Sequence, residues 1–276
     1  MKNIKKKSVF ERMASAPHIV WSALFIIAPL LFVAYFAFTD RNGSFTFENI
    51  LSLGSYSNTF VMSLGFSLIA TTVCFLIGYP LAYCMARTSE RTRSILMVFL
   101  MLPMWISLLI RTYSLMALLD NGGLVSSFLV KLGFEKLTFI GTEGAVILGM
   151  IYDFLPYMVL PIYTSMTKLD KRYLEAAADL GCNPVKTLLH VILPLTVPGI
   201  VSGVTMVFVP SISTFYISQK LGGGSFDLIG DTIERHFQNA ITYHTGAAIS
   251  LVMMVLILIS LAIMNKFSDS GEDIIV

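Results

Sequence analysis

The chain has 276 residues, 55% of them hydrophobic and 13% charged, with a formal net charge of +2 and a mean hydropathy of +0.77. A soluble domain carries about a quarter charged residues, so an ordinary cytosolic enzyme, a nucleic-acid binder and a disordered chain are all excluded. Three cysteines build no disulfide framework; Cys74 and Cys84 lie roughly 15 Å apart along one apolar stretch, too far to bridge. The composition is that of an integral membrane protein.

An apolar run of about 20 residues crosses the hydrocarbon core as a helix, because lipid offers free backbone amides and carbonyls no partner. Six such runs occur, at 18–38, 60–86, 94–118, 144–165, 195–217 and 245–264, giving an all-α fold of six transmembrane helices. The first follows a basic segment, as a signal peptide would. It is longer than a signal-peptide core, and Ala14–Ser15–Ala16 precede it rather than follow it, so it reads as a retained span. Pro103, Pro156, Pro161 and Pro210 interrupt later runs and are expected to bend them.

Lys and Arg in the short loops set the orientation. One side holds Lys2, Lys5, Lys6, Lys7 and Arg12, then Arg87, Arg91 and Arg93, then Lys168, Lys171, Arg172 and Lys186, and finally Lys266. The other holds only Arg41, Lys131, Lys136, Lys220 and Arg235. The richer side is cytoplasmic, with both termini. Gly222–Gly223–Gly224 precedes no Gly-Lys-Ser/Thr and reads as an external turn, not a phosphate cradle. Without a Walker sequence the chain is not itself an ATPase and binds no cofactor. His18, His190, His236 and His244 are scattered and form no metal site.

The most informative segment is the inner loop KLDKRYLEAAADLGCNPVKTLLHVILPLTVPG, residues 168–199. Asp170 is placed to cap a helix over 171–180, whose Tyr173, Leu174, Ala177 and Leu180 form one apolar stripe. Gly181 suits the left-handed position that closes it. Asn183 and Pro184 then supply the cap and first residue of a second helix, with Val185, Leu188, Leu189 and Ile192 on one face. Two readings fit: an interfacial elbow among lipid headgroups, or a docking element. For the second, Ala176–Ala178 allow close approach and Glu175 and Asp179 present carboxylates one turn apart.

Glu175, Ala176, Ala177, Gly181, Leu193 and Pro194 reproduce the spacing Glu-Ala-Ala, three residues, Gly, nine residues, then Ile, one residue, Leu-Pro, with Val191 in the Ile place. This resembles the EAA loop of binding-protein-dependent (type I) ABC importer permeases. SLIATTVCFLIGYPLAY (67–83), LPMWISLLIRTYSL (102–115), LPYMVLPIYTSMTKLDKRYLEAA (155–177) and ILPLTVPGIVSG (192–203) are similar to the spermidine/putrescine branch of that family. Permeases for iron(III), sulfate, thiamine or molybdate share much of the skeleton. The resemblance implies a MetI-like permease fold with cytoplasmic coupling helices, in the inner membrane of a prokaryote. It implies a paralogous permease as heterodimer partner, two ATPase subunits carrying ATP and Mg, and an extracellular polyamine-binding protein. Glu175, Ala176, Ala177 and Gly181 would form the ATPase joint. The expected organisation is an N-terminal segment at 1–17, a first helix and external loop at 18–58, a permease core at 59–265 containing the coupling loop 168–194, and a tail at 266–276.

Ionisable groups at bilayer depth are costly and therefore informative. Asp153 falls roughly 15 Å into its span and Arg111 roughly 10 Å into its own, both from the outer side, so an interhelical ion pair is feasible. Such a pair fixes helix register; alternatively Asp153 belongs to a cation path. Trp105, Tyr113, Tyr152, Tyr157 and Tyr216 could line that path through cation–π contacts or serve as packing and interfacial anchors. Two other classes compete. A secondary transporter needs its own coupling-ion site and paired broken helices, yet only Asp153 qualifies. An intramembrane enzyme needs a motif such as HExxH or GxSxG, and neither occurs.

Overall fold

The computed structural model describes residues 17–133 and 138–272, with side chains through 266. The basic residues Lys2, Lys5, Lys6, Lys7, Arg12 and Lys136 lie outside the described residues. The helices are α1 (Pro17–Ala37), α2 (Ser57–Arg87), α3 (Glu90–Trp105), α4 (Leu108–Leu119), α5 (Leu124–Lys131), α6 (Glu143–Thr167) and α7 (Lys171–Asp179). They continue with α8 (Pro184–Leu195), α9 (Val197–Ser213), α10 (Tyr216–Leu221), α11 (Ile229–Gln238) and α12 (Tyr243–Glu272). Among the described residues the only extended pairing is an isolated bridge between Thr39 and Phe45. Five helical stretches are long and apolar enough to cross a bilayer, and six if α8 and α9, bent by 70° at their junction, count as one span.

The chain forms two compact units. The smaller consists of the chain through Tyr56 together with Ile233–Val255. Its core is small: Ala37 is buried with Ala247 and Ala248, while Phe36 meets Tyr243 edge to face at 5.1 Å. Asn49 Nδ2 donates to the carbonyls of Ala37 and Thr39, closing the orphan end of α1. Tyr56 Oη lies 3.0 Å from His236 Nε2. The apolar window of α1 has no buried residue.

The larger unit, Ser57–Thr232 together with the chain from Leu256 onward, is built around α6. Its Met150, Met158, Val146, Val159 and Ile162 are fully buried, and α2 and α9 pack on it. Lipid tails are as apolar as leucine, so close backbone approach has to hold such helices together. Glycines on α9 provide it. A Cβ on Gly199 would stand 2.5 Å from Ser165 Cβ and 2.9 Å from the Pro161 carbonyl oxygen; on Gly203 it would stand 2.9 Å from the Met158 carbonyl oxygen. Buried hydroxyls along α2 satisfy themselves: Ser63, Ser67 and Thr71 donate to the carbonyls of Thr59, Ser63 and Ser67 at 2.8, 2.7 and 2.6 Å.

Two runs that read as continuous spans are broken. The run 94–118 divides at Ile106, which is extended with ψ 137° between α3 and α4. The run 195–217 ends at Ser213, where Thr214 is extended with ψ 136°, and Tyr216 opens a new helix. The extended residue lies three positions beyond Pro103 in the first break and four beyond Pro210 in the second, and each proline's missing N–H and ring strain the preceding turn. Pro156 and Pro161 behave differently: α6 runs unbroken through both, clamped between α2 and α9. The turn at Gly222–Gly224 forms as expected, with positive φ at Gly223 and Gly224.

Candidate functional site

The elbow of α7 and α8 is assembled from local chemistry. Asp170 stands at the N-cap and accepts from the Arg172 amide at 3.0 Å. At the other end Gly181 adopts φ +75°. Its amide donates to the Ala178 carbonyl at 2.9 Å and the Cys182 amide to that of Ala177 at 3.0 Å, the paired bonds of a Schellman turn. Asn183 then caps α8 through the Lys186 amide at 2.8 Å, with Pro184 in the first turn.

The elbow's orientation separates its residues. Leu174 packs against the core and Ala177 is buried, while Glu175, Ala176, Ala178 and Asp179 are exposed. Glu175 also borders a cleft of about 700 Å³ together with Tyr83, Arg87, Arg93 and Lys171. The apolar stripes expected from spacing are only half seated. Leu180 is 83% exposed because α7 ends at Asp179 and the Schellman turn carries the chain away. On α8, Leu188 and Ile192 face the bundle but Val185 and Leu189 stay exposed. A π-helical stretch at Leu188–Ile192 shifts the register there.

In the membrane-spanning part, Arg111 Nη1 lies 3.2 Å from Asp153 Oδ1, with side chains 6% and 1% exposed. The same nitrogen donates to the Asp153 carbonyl at 3.3 Å. α4 and α6 are thereby locked by the ion pair that the matching depths suggested. Asp153 is enclosed in the larger unit, whereas Trp105, at the α3–α4 break, is 80% exposed. The structure joins neither Asp153 nor Trp105 to Tyr113 or Tyr216 by a ring contact or ion pair among the described residues.

It does bring Tyr113 and Tyr216 together. Their rings meet edge to face with centroids 6.0 Å apart and planes at 80°. Lys220 Nζ stands over both, 5.3 Å from the Tyr113 centroid and 5.8 Å from that of Tyr216. Lys220 was legible only as a loop charge; its spacing of four from Tyr216 on a helix was the available signal. α10, which carries Tyr216 and Lys220, is fixed by its buried Ile217 and Leu221. A Cβ on Gly149 of α6 would come within 2.8 Å of Ile217 Cγ2 and closer still to Leu221 Cδ1. The Gly141 amide donates to the Leu221 carbonyl at 2.8 Å. A second unforeseen contact lies at the α8–α9 bend, where Thr196 is fully buried and Tyr79 Oη of α2 lies 3.2 Å from its hydroxyl.

Fold and sites together define a multi-pass, all-helical membrane component with an outward-presented two-helix elbow. Residues 75–271 match the family described as binding-protein-dependent transport system inner membrane component, and the chain belongs to that family. It is 36% identical over 266 residues to the spermidine/putrescine transport system permease protein PotB of Haemophilus influenzae, covering 93% of this chain and 92% of that one. To PotB of Escherichia coli it is 36% identical, covering 85% and 89%. To the Escherichia coli inner membrane ABC transporter permease protein YdcU it is 31% identical, covering 86% and 82%. Among solved structures, a chain of a bacterial ABC transporter that imports the acidic polysaccharide alginate superposes with a TM-score of 0.77 at 18% identity, covering 95% of both chains. A chain of the MetNI methionine ABC transporter gives 0.51 at 18% identity, covering 79% and 93%. These two likenesses show the fold: the MetI-like fold of ABC importer permeases. The chain is a permease subunit, and nucleotide hydrolysis resides in a separate subunit.

Proposed function

We propose that this chain forms half of the translocation path of an ATP-driven polyamine importer and couples to its ATPase through the α7–α8 elbow. The observation that carries the coupling reading is the elbow's polarity of presentation. Local caps hold it rigid, Leu174 and Ala177 seat it on the bundle, and Glu175, Ala176 and Asp179 are turned outward. A helix gripped this way moves as a unit when its partner moves. ATP-driven closure of the ATPase pair pushes the elbow, and the 70° bend at Thr196 passes that displacement into α9. The charge asymmetry of the loops puts the elbow and both termini on the cytoplasmic side. A second, paralogous permease completes the path, and an extracellular binding protein delivers the cargo.

Polyamine cargo rests on the relatives' names and on the ammonium-holding tyrosine pair. Reconstitution of the co-purified assembly tests both halves. ATP-dependent uptake of spermidine or putrescine is expected, and uptake of an anion or metal with no polyamine transport would overturn the cargo. Glu175→Arg, on an exposed position, should leave the permease folded and strip the ATPase from it. Full retention of the ATPase would contradict the joint.

A further inference from the structure

We propose that Tyr113 and Tyr216 form a primary-ammonium subsite which Lys220 occupies as a tethered stand-in until cargo displaces it. This rests on the polyamine reading above. Lys220 makes no ion pair among the described residues; two aromatic faces hold its ammonium instead. The cradle and its occupant differ in how firmly they are fixed. Tyr216 opens a helix whose Ile217 and Leu221 are fully buried, and Tyr113 follows directly on the buried Arg111 and Thr112. Lys220 is only partly buried and reaches the rings on a flexible four-carbon stem. A rigid site with a mobile, covalently tethered occupant is one that a competing ligand can empty.

Ser114 and Ser213 are exposed along with Tyr113, among the exposed apolar side chains of Leu109, Ile110 and Phe215. An aliphatic polyamine carries the same ammonium on the same kind of methylene chain as lysine, so it competes for the rings on equal terms, which an anion or neutral solute does not. Exchange of one ammonium for the other keeps the cradle filled in both states.

The assembled importer in nanodiscs, with its lysines 13C-dimethylated so that they remain cationic, tests this by NMR. One resonance, missing from Lys220→Arg, should lie upfield from ring currents, return to the exposed-lysine position in Tyr113→Leu, and move there in wild type on adding spermidine. In transport, Lys220→Met should lower the half-saturating spermidine concentration about two- to fivefold, the worth of a partly exposed cation–π contact, while Lys220→Arg keeps the wild-type value. A resonance that starts at the exposed position, or stays upfield while spermidine is carried, overturns the displacement alone. A wild-type assembly that carries no polyamine overturns the cargo reading with it.

Discussion

The elbow and the helix bundle around α6 solve the problem of fixing helices by opposite means. In the elbow nearly every decisive bond spans only a few residues: Asp170 to Arg172, Ala177 to Cys182, Asn183 to Lys186. In the bundle the decisive contacts join residues far apart in sequence: Arg111 to Asp153, Gly199 to Pro161, Tyr79 to Thr196. A locally capped element keeps its shape while being displaced, and a bundle held by backbone proximity transmits displacement without slack. That division suits a lever set on a moving core.

The contrast predicts a graded set of losses, the largest in the bundle. Asp153→Asn alone leaves Arg111 buried without its counter-charge and should cost about 3–5 kcal/mol, read as a fall in the thermal stability of the purified protein. Arg111→Met with Asp153→Leu should recover most of that loss, because well-packed apolar replacements of buried pairs are often neutral. Uptake by the stabilised double variant separates the two roles: retained transport means the pair serves helix register, and lost transport in a stable protein assigns Asp153 to the path.

Next in size is helix approach. Gly199→Ala forces a Cβ against the Pro161 carbonyl and Ser165 and should destabilise by about 1–3 kcal/mol through overpacking. An unchanged melting temperature would show that α9 and α6 do not meet this closely. Gly181→Ala meets no neighbouring atom but must place a side chain at φ +75°, at a cost of about 1–2 kcal/mol. Its effect should stay local, as faster amide exchange at 180–182 and weaker ATPase stimulation by cargo, with the melting temperature of the bundle preserved. The smallest effect belongs to Tyr79→Phe, which removes one hydroxyl contact at the α8–α9 bend and should cost about 1 kcal/mol. If ATPase stimulation falls in this variant while stability barely changes, the bend is part of the transmission.

The same contrast explains what could be read from the amino-acid sequence. Asp170, Gly181, Asn183 and Pro184 announced the elbow because capping is a short-range code, and the structure places each in its expected position. Hydropathy located the apolar runs, yet could not tell Pro103 and Pro210, which precede breaks, from Pro156 and Pro161, which do not. The difference lies in whether neighbouring helices clamp the turn, which is tertiary information. The half-seated stripes of α7 and α8 failed for a related reason: a helical wheel assumes one continuous register, and a Schellman turn and a π-helical stretch interrupt it. Arg111 and Asp153 were found by depth because charge at the bilayer centre has few partners. Lys220 escaped notice because a lysine near the end of an apolar run resembles any loop charge until two rings are found beneath it.

What covers α7 decides whether the elbow is a coupling element. Hydrogen–deuterium exchange across residues 171–182, measured on the permease pair in nanodiscs with and without the ATPase subunits, addresses this directly. The exposed elbow should exchange readily in lipid alone and become protected when the ATPase is added, with protection lost in Glu175→Arg. Equal protection in lipid without the ATPase would mean that the elbow rests on the membrane surface, and the coupling assignment would be wrong.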